Sequence, residues 1–265
     1  MKAKCIFNGV WILLSTVFFG IMLPFLGTAI GSSAVFVMKN NHRTALTECL
    51  AGFAGGVMLA ASLWSLLLPA IEESMNLGKL SFLPSAAGFF VGVMFMMLSE
   101  KAIDRFSSSK QFSLRKRSFI TAFAVTVHNI PEGLAVGMVY AALLNSTAPG
   151  TAAGAIALSL GIAIQNIPEG AIVSLPLYSG GISKLKAFSS GVFSGAVEPV
   201  AATTAILFVK LFSPLMPFFL SFAAGAMIFV VMRELSEEMR SESSRGMIFF
   251  AFGFIIMMSL DVALG

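Results

Sequence analysis

The chain has 265 residues, of which 57% are hydrophobic and only 11% are charged, and its mean hydropathy is +0.90. A water-soluble domain carries roughly 25% charged residues, so this composition excludes one and predicts a protein surrounded by the lipid bilayer. The net charge is +4, but no long basic run interleaved with aromatic residues is present, which argues against a nucleic-acid partner.

The apolar runs predict eight membrane-spanning helices in a single integral-membrane domain, residues 1–265. A spanning helix needs about 20 mainly apolar residues. The first run is longer than the about 7–15 residues of a signal-peptide core, so we interpret it as a span. We call the predicted helices spans 1 to 8, and they cover residues 10–38, 49–71, 82–101, 118–144, 151–178, 186–209, 213–233 and 246–264. The predicted fold class is an all-α polytopic membrane protein.

The distribution of Lys and Arg predicts the orientation of the spans. Thirteen of these residues follow spans 1, 3, 5 and 7, whereas four lie on the opposite side. Because cytoplasmic loops carry an excess of Lys and Arg, the richer side should be cytoplasmic. Lys2 and Lys4 alone would favour the reverse, but the short loop after span 3 is strongly basic. We therefore expect a cell-membrane protein (plasma or bacterial inner membrane) with both termini extracytoplasmic.

A six-residue motif occurs twice inside apolar spans, as HNIPEG at residues 128–133 and as QNIPEG at residues 165–170. In each copy the first residue and the Glu are four positions apart, so they share one helix face. Asn129 and Asn166 flank those faces. Pro131 and Pro168 should each free a backbone carbonyl four residues earlier, because proline has no N–H and its ring clashes there.

Three of the 13 acidic residues lie near the middle of spans, and a carboxylate there costs at least about 2.5–3.5 kcal/mol. They are Glu132, Glu169 and Glu198. With a rise of about 1.5 Å per residue on antiparallel helices, His128 should lie level with Glu169, and Glu132 level with Gln165. Glu198 should lie in the same layer. Similar motifs on antiparallel spans predict inverted repeats around a site near the bilayer midplane, as in secondary transporters.

This layer offers one imidazole, two or three carboxylates and several amide oxygens. That set suits a divalent ion such as Zn²⁺, or Fe²⁺, Mn²⁺ and Cd²⁺. Because the ligands must lose protons when a metal binds, we also expect proton linkage. The metal would be a transported substrate, and no prosthetic group is expected.

The segments HNIPEGLAVG in span 4, QNIPEGAIVSLPL in span 5 and SGAVEPVAA in span 6 resemble the ZIP (Zrt/Irt-like protein) family of divalent-metal transporters. The resemblance implies metal import toward the cytoplasm, a 3+2+3 arrangement with inverted repeats around spans 4 and 5, and often a homodimer. It also implies seven metal ligands, namely His128, Asn129, Glu132, Gln165, Asn166, Glu169 and Glu198.

Two of these positions depart from the family pattern. Many members have His where this chain has Gln165, whereas some bacterial members have Gln there and Asp where this chain has Asn166. Neutral amides are weaker ligands than imidazole or carboxylate, so we expect weaker binding of a second ion and broader selectivity.

Two other functions stay open at this point. The first is an intramembrane zinc-dependent hydrolase using His128 and Glu132. A catalytic zinc site usually has three protein ligands and an activated water, and the HExxH pattern is absent from this sequence. The second is a proton-coupled carrier of another small solute. The concentration of carboxylates in the predicted layer argues against this function.

Acidic residues at the span ends allow two interpretations. They are either solvated charges at the level of the lipid headgroups or cation-attracting residues at an outer entrance and an inner exit. The outer pair is Glu72 and Glu73, and the inner set is Glu234, Glu237 and Glu238. For Asp261, near the end of span 8, we predict a structural role.

Overall fold

The computed structural model describes residues 2–37, 44–107, 114–145, 152–208, 215–238 and 244–264. Within these residues the regular secondary structure is entirely helical. Eight stretches are long and apolar enough to cross a bilayer, which confirms the predicted number of spans. They are Trp11–Val37, Glu48–Glu73, Phe82–Ile103, Ala122–Leu144, Ala152–Ser179, Lys184–Leu207, Met216–Arg233 and Arg245–Leu264, and these bounds replace the predicted ones for spans 1 to 8.

Several helices continue beyond the apolar spans. Arg115, Lys116 and Arg117, which we assigned to the loop after span 3, lie in the first turn of the helix that begins at Leu114. The connection is therefore shorter than expected. The helices, including one π-helix (Ser62–Leu67) and one 3₁₀-helix (Met75–Leu80), are Lys2–Ser32, Ala34–Val37, Thr44–Ala61, Ser62–Leu67, Leu68–Glu73, Met75–Leu80, Phe82–Ser107, Leu114–Asn145, Ala152–Ser179, Lys184–Gly195, Val197–Leu207, Met216–Glu238 and Arg245–Leu264.

Span 2 contains a widened turn. Its middle part, Ser62–Leu67, is a π-helix, and the Leu68 N–H donates to the carbonyl of Leu63, five residues earlier. Pro69 follows directly and has no N–H to offer the carbonyl of Ser65. A π-turn is a usual way for a helix to absorb such a missing hydrogen bond.

Span 6 is not one helix, in contrast to the prediction. It consists of Lys184–Gly195 and Val197–Leu207, separated by a turn at Ala196. Pro199 accounts for the break, because proline cannot continue a helix from before but is tolerated in the first turn of a new one. Glu198 consequently lies in the first turn of the second helix, close to the positive end of its dipole.

The motif prolines behave differently. Pro131 lies inside the continuous helix Leu114–Asn145, and Pro168 lies inside the continuous helix Ala152–Ser179. Each removes one backbone donor without ending its helix. The side chains of the two motifs therefore keep the helical spacing on which their predicted convergence depends.

The four most extensive helix contacts join span 1 with span 5, span 2 with span 8, span 3 with span 7, and span 4 with span 6. In every pair, two glycines four residues apart on one helix lie against backbone carbonyls of the other, where a Cβ would collide. Small residues at this spacing let membrane helices approach closely. The glycine pairs are Gly27 and Gly31, Gly52 and Gly56, Gly88 and Gly92, and Gly133 and Gly137.

Span 5 is the most enclosed helix of the bundle. In the most apolar 18 residues of span 5, 67% of the residues are buried inside the protein, whereas the corresponding share in span 8 is 11%. It contacts spans 1, 2, 4, 6 and 8. The second motif is thus placed at the centre of the protein, where its polar side chains must find partners within the bundle.

Candidate metal site

The two motifs bring five buried polar side chains together at the contact between spans 4 and 5. Asn129, Glu132, Gln165 and Asn166 have no exposed surface, and Glu169 is 5% exposed. Burial of a carboxylate or amide is costly unless it gains a hydrogen bond, a proton or a cation. Such a cluster is therefore expected to serve a function.

The core of this cluster has the geometry of a cation site. One ligand atom each from His128, Glu132 and Glu169 lies within 4.8 Å of the others. His128 Nε2 is 3.6 Å from Glu132 Oε1. Around a Zn²⁺ ion with bonds of about 2.0–2.2 Å these atoms would move to about 3.3 Å apart, a small adjustment of rotamers. The prediction that His128 and Glu169 lie at the same height in the helix bundle is confirmed.

Gln165 completes this group from span 5. Its Nε2 donates to Glu132 Oε1 at 2.8 Å. The prediction that these two residues lie at the same height in the bundle is therefore also confirmed. The donation leaves the Gln165 Oε1 atom buried and without a hydrogen bond among the described residues. That oxygen is available to a cation as a neutral ligand.

Glu198 is held by hydrogen bonds from three directions. Its Oε1 accepts from Thr28 Oγ1 at 3.2 Å and from Asn129 Nδ2 at 3.1 Å, and its Oε2 accepts from Asn166 Nδ2 at 2.8 Å. The predicted position of Glu198 in the same layer is confirmed. Its carboxylate is not among the three groups within 4.8 Å of one another, so its assignment as a metal ligand stays a prediction.

The two asparagine side chains are oriented in the same way. Their NH₂ groups face Glu198, and their Oδ1 atoms are buried without a hydrogen bond in the part of the chain that the structure describes. Asn129 Nδ2 also donates to the carbonyl of Ser194 at 3.1 Å, beside the break in span 6. Asn166 Nδ2 also donates to the carbonyl of Pro24 at 3.2 Å, in span 1.

Thr28 also contacts this group, although it is not among the predicted site residues. It is completely buried and connects span 1 to Glu198. A signal was present, because Gly27, Thr28, Gly31 and Ser32 form a stretch of small residues typical of membrane helix interfaces. That signal marks a contact face, but it does not say which helix the face meets.

A separate cavity of about 330 Å³ lies between spans 2, 4, 5, 7 and 8. Glu72, Glu73 and Asp261 are among its lining residues. Asp261 Oδ1 accepts a hydrogen bond of 2.6 Å from Ser65, in the π-helical turn, which agrees with a structural role. The entrance role of Glu72 and Glu73 stays a prediction. The side chains of Glu234, Glu237 and Glu238 lie outside the described residues.

The arrangement can hold a cation, but it lacks the features of a hydrolase. His128 is the single imidazole of the described cluster, and its partners are two carboxylates and an amide. Asn129 and Asn166 turn their NH₂ groups toward Glu198, and their buried Oδ1 atoms accept no hydrogen bond among the described residues. A surround of carboxylates and amides favours holding an ion over activating a water, for which a zinc enzyme keeps one position open.

Comparison with known proteins agrees with this geometry. Residues 106–261 match the profile of the ZIP Zinc transporter family. The chain is 35% identical to the zinc transporter ZIP11 of Xenopus tropicalis, over 93% of this chain and 96% of that protein. It is 31% identical to the zinc transporter GufA of Myxococcus xanthus, over 90% and 94% of the two chains. It is 33% identical to the zinc transporter ZupT of Chlorobaculum parvum, over 81% and 84%.

These matches favour a transporter over the hydrolase and over the carrier of another solute. The profile covers more than half of the chain and includes both motifs and Glu198. The relatives are aligned along nearly the whole sequence, so the match is not confined to the motifs. The chain belongs to the ZIP family of zinc transporters.

Proposed function

We propose that this protein imports divalent transition-metal ions into the cytoplasm, with zinc as the first substrate. The ion would bind midway through the bundle, between spans 4, 5 and 6. The observation that carries the proposal is the convergence of His128, Glu132 and Glu169 within 4.8 Å in a buried site. One nitrogen and two carboxylate oxygens are ligands that Zn²⁺ accepts, and Fe²⁺, Mn²⁺ and Cd²⁺ are further candidates.

The remaining predicted ligands take two roles in this proposal. The Gln165, Asn129 and Asn166 oxygens act as neutral ligands, because each is buried and without a hydrogen bond among the described residues. Glu198 holds both asparagines by their NH₂ groups and adds negative charge beside the ion. Weak neutral ligands suit a carrier, which must release its ion as well as bind it.

Proton exchange is part of the proposed mechanism. Carboxylates enclosed by protein are stable when they are protonated, paired or bound to a cation. A divalent ion entering between Glu132 and Glu169 would therefore displace protons, and the protons would return when the ion leaves. Uptake should respond to a pH difference across the membrane.

The proposed direction, toward the cytoplasm, is the one that the resemblance to the ZIP family implies, and the proposed topology agrees with it. The side rich in Lys and Arg is taken as cytoplasmic, and both termini lie outside. The cavity lined by Glu72 and Glu73 then opens toward the extracytoplasmic side, as an entrance for cations would. The proposed location is the plasma or bacterial inner membrane.

The helix contacts support the 3+2+3 arrangement with inverted repeats. Inverted repeats would relate span 1 to span 6, span 2 to span 7, span 3 to span 8 and span 4 to span 5. Under this exchange, the contact between spans 1 and 5 becomes the contact between spans 6 and 4, and the contact between spans 2 and 8 becomes the contact between spans 7 and 3. These are the four most extensive contacts. A two-fold relation of this kind places spans 4 and 5 on the axis. A homodimer in the bilayer completes the proposal, and crosslinking in native membranes would test it.

A flux assay tests the function. Purified protein in liposomes is given zinc, iron, manganese or cadmium, with and without a pH gradient, and the internal metal is measured. We expect saturable zinc uptake that changes with the gradient. Glu132→Ala provides the inactive control. Equal flux by wild type and E132A for every metal would overturn the proposal.

A further inference from the structure

Thr28 contacts the metal site through its hydroxyl group, although it belongs to neither motif. Thr28 Oγ1 is 3.2 Å from Glu198 Oε1 and 3.5 Å from the carbonyl oxygen of Pro24. The hydroxyl has one proton and can donate it to only one of these acceptors. The carboxylate is closer and, when ionised, is the stronger acceptor, whereas the Pro24 carbonyl also receives the Asn166 NH₂. The proton therefore belongs to the contact with Glu198.

The backbone around Thr28 allows its side chain little choice of position. A Cβ on Gly195 would come within 2.7 Å of Thr28 Cβ, and a Cβ on Gly170 would collide with the Thr28 carbonyl. Spans 5 and 6 thus approach Thr28 from two sides. Gly195 also ends the first helix of span 6, three residues before Glu198. The break between the two helices of span 6 therefore lies against Thr28.

We infer that Thr28, in span 1, is a positioning residue for the metal site and acts through Glu198. The inference rests on the proposed function. Thr28 and Asn129 donate to the same oxygen of Glu198, and Asn166 donates to the other. Glu198 held in this way orients both asparagine amides, so that their Oδ1 atoms are presented to a divalent cation.

The effect of Thr28 should appear in metal affinity. Amide oxygens are weak ligands, and they contribute to binding when their direction is fixed before the ion arrives. Loss of the Thr28 hydroxyl leaves the ligands in place but lets Glu198 and the two amides adopt other rotamers. We therefore expect a higher KM for zinc with an unchanged maximal rate.

Three variants test this role in purified protein in nanodiscs and in liposomes. Thr28→Val keeps the shape and removes the hydroxyl, Thr28→Ser keeps the hydroxyl, and Thr16→Val is the control. Thr16 is a partly buried residue of the same span, and its hydroxyl donates to the carbonyl of Ile12. We expect T28V to raise the zinc Kd and KM about threefold to tenfold, the loss of one hydrogen bond, and T28S and T16V to stay within about twofold.

A second measurement asks whether Thr28 acts through Glu198. In the Glu198→Ala background, T28V should cause little further loss, because the side chain that Thr28 orients is gone. An equal loss in both backgrounds, or a T28S protein as weak as T28V, would assign the effect to packing and overturn the inference. If E198A does not fold, the comparison of T28V with T28S decides alone. A wild type that neither binds nor carries any metal would instead refute the proposed function.

Discussion

Asn166 donates its NH₂ group to Glu198 Oε2 at 2.8 Å, across the contact between spans 5 and 6. At this position some members of the family have Asp, whose carboxylate would face Glu198, whereas this chain has an amide donor. The same NH₂ group reaches the Pro24 carbonyl of span 1. This one side chain therefore connects three spans, and its NH₂ group lies directly beside the Glu198 carboxylate.

The first prediction replaces this donor by an acceptor. In Asn166→Asp, two carboxylate oxygens would face each other where a 2.8 Å hydrogen bond now lies, and they can remain there only with a proton or a cation between them. We expect the zinc stoichiometry to rise from about one to about two ions per chain, because a carboxylate pair is a metal site. Titration calorimetry with the purified protein measures the stoichiometry.

Asn166→Ala is the control for this experiment, since it removes the donor without adding a charge. It should keep a stoichiometry of about one and bind zinc more weakly. Two ions bound by the wild-type protein would show that Glu198 and the asparagines already form a second site.

The second prediction concerns the difference between the two motifs. Gln165 offers an amide oxygen beside Glu132, where His128 offers an imidazole on the opposite span. Gln165→His supplies a second imidazole, which Zn²⁺ prefers over amide oxygen more strongly than Mn²⁺ does. We expect zinc preference over manganese to increase about tenfold, equal to about 1.4 kcal/mol. Competition between the two metals in the uptake assay measures it.

The control for this variant is Gln165→Ala, which removes the amide and leaves no ligand. It should bind both metals more weakly with little change in preference. An unchanged competition profile in Q165H would mean that residue 165 does not touch the ion.

The third prediction tests the core ligands against a neighbour on the same helix. His128→Ala and Glu132→Gln each remove one ligand of the group within 4.8 Å, whereas Thr126→Val removes only a hydroxyl that donates to the Ala122 carbonyl of its own helix. We expect both ligand variants to lose more than about tenfold in zinc uptake at limiting zinc, and T126V to stay near wild type. Radioactive zinc uptake, normalised to protein in the membrane, checks this. Full uptake by both variants would contradict the assignment of His128 and Glu132 to the metal site.

The sequence predicted the eight spans and the convergence of the motifs for clear physical reasons. Bilayer thickness sets the length of an apolar run, and four-residue spacing places His128 above Glu132 on one face. The depth of each residue in its span then predicted that Gln165 meets Glu132. These features depend on counting along a helix, which the sequence determines directly.

The remaining features depend on how each helix is rotated and where its backbone departs from regular geometry. Pro199 was present in the sequence, yet a proline within a span can either be absorbed, as Pro131 is, or begin a new helix, as Pro199 does. At the break, Gly195 ends the first helix of span 6 and lies close against Thr28, a tertiary contact that the sequence alone does not reveal. The partner of Thr28 could not be predicted, because a stretch of small residues marks a face without naming its neighbour.

The last prediction separates the packing of spans 4 and 6 from the position of Glu198. A Cβ on Gly133 would lie 2.8 Å from Glu198 Cα, and a Cβ on Gly137 would lie 2.6 Å from Ala202 Cα, one turn further along the same contact. Gly133→Ala and Gly137→Ala should each lower the free energy of unfolding by about 1–3 kcal/mol, because both force the helices apart. Only G133A should also weaken zinc binding, since it displaces the backbone of Glu198 and with it the two asparagines. Thermal unfolding and zinc titration of both variants in the same detergent measure the two effects, and an equal loss of zinc affinity in G137A would show that general loosening, and not the position of Glu198, controls binding.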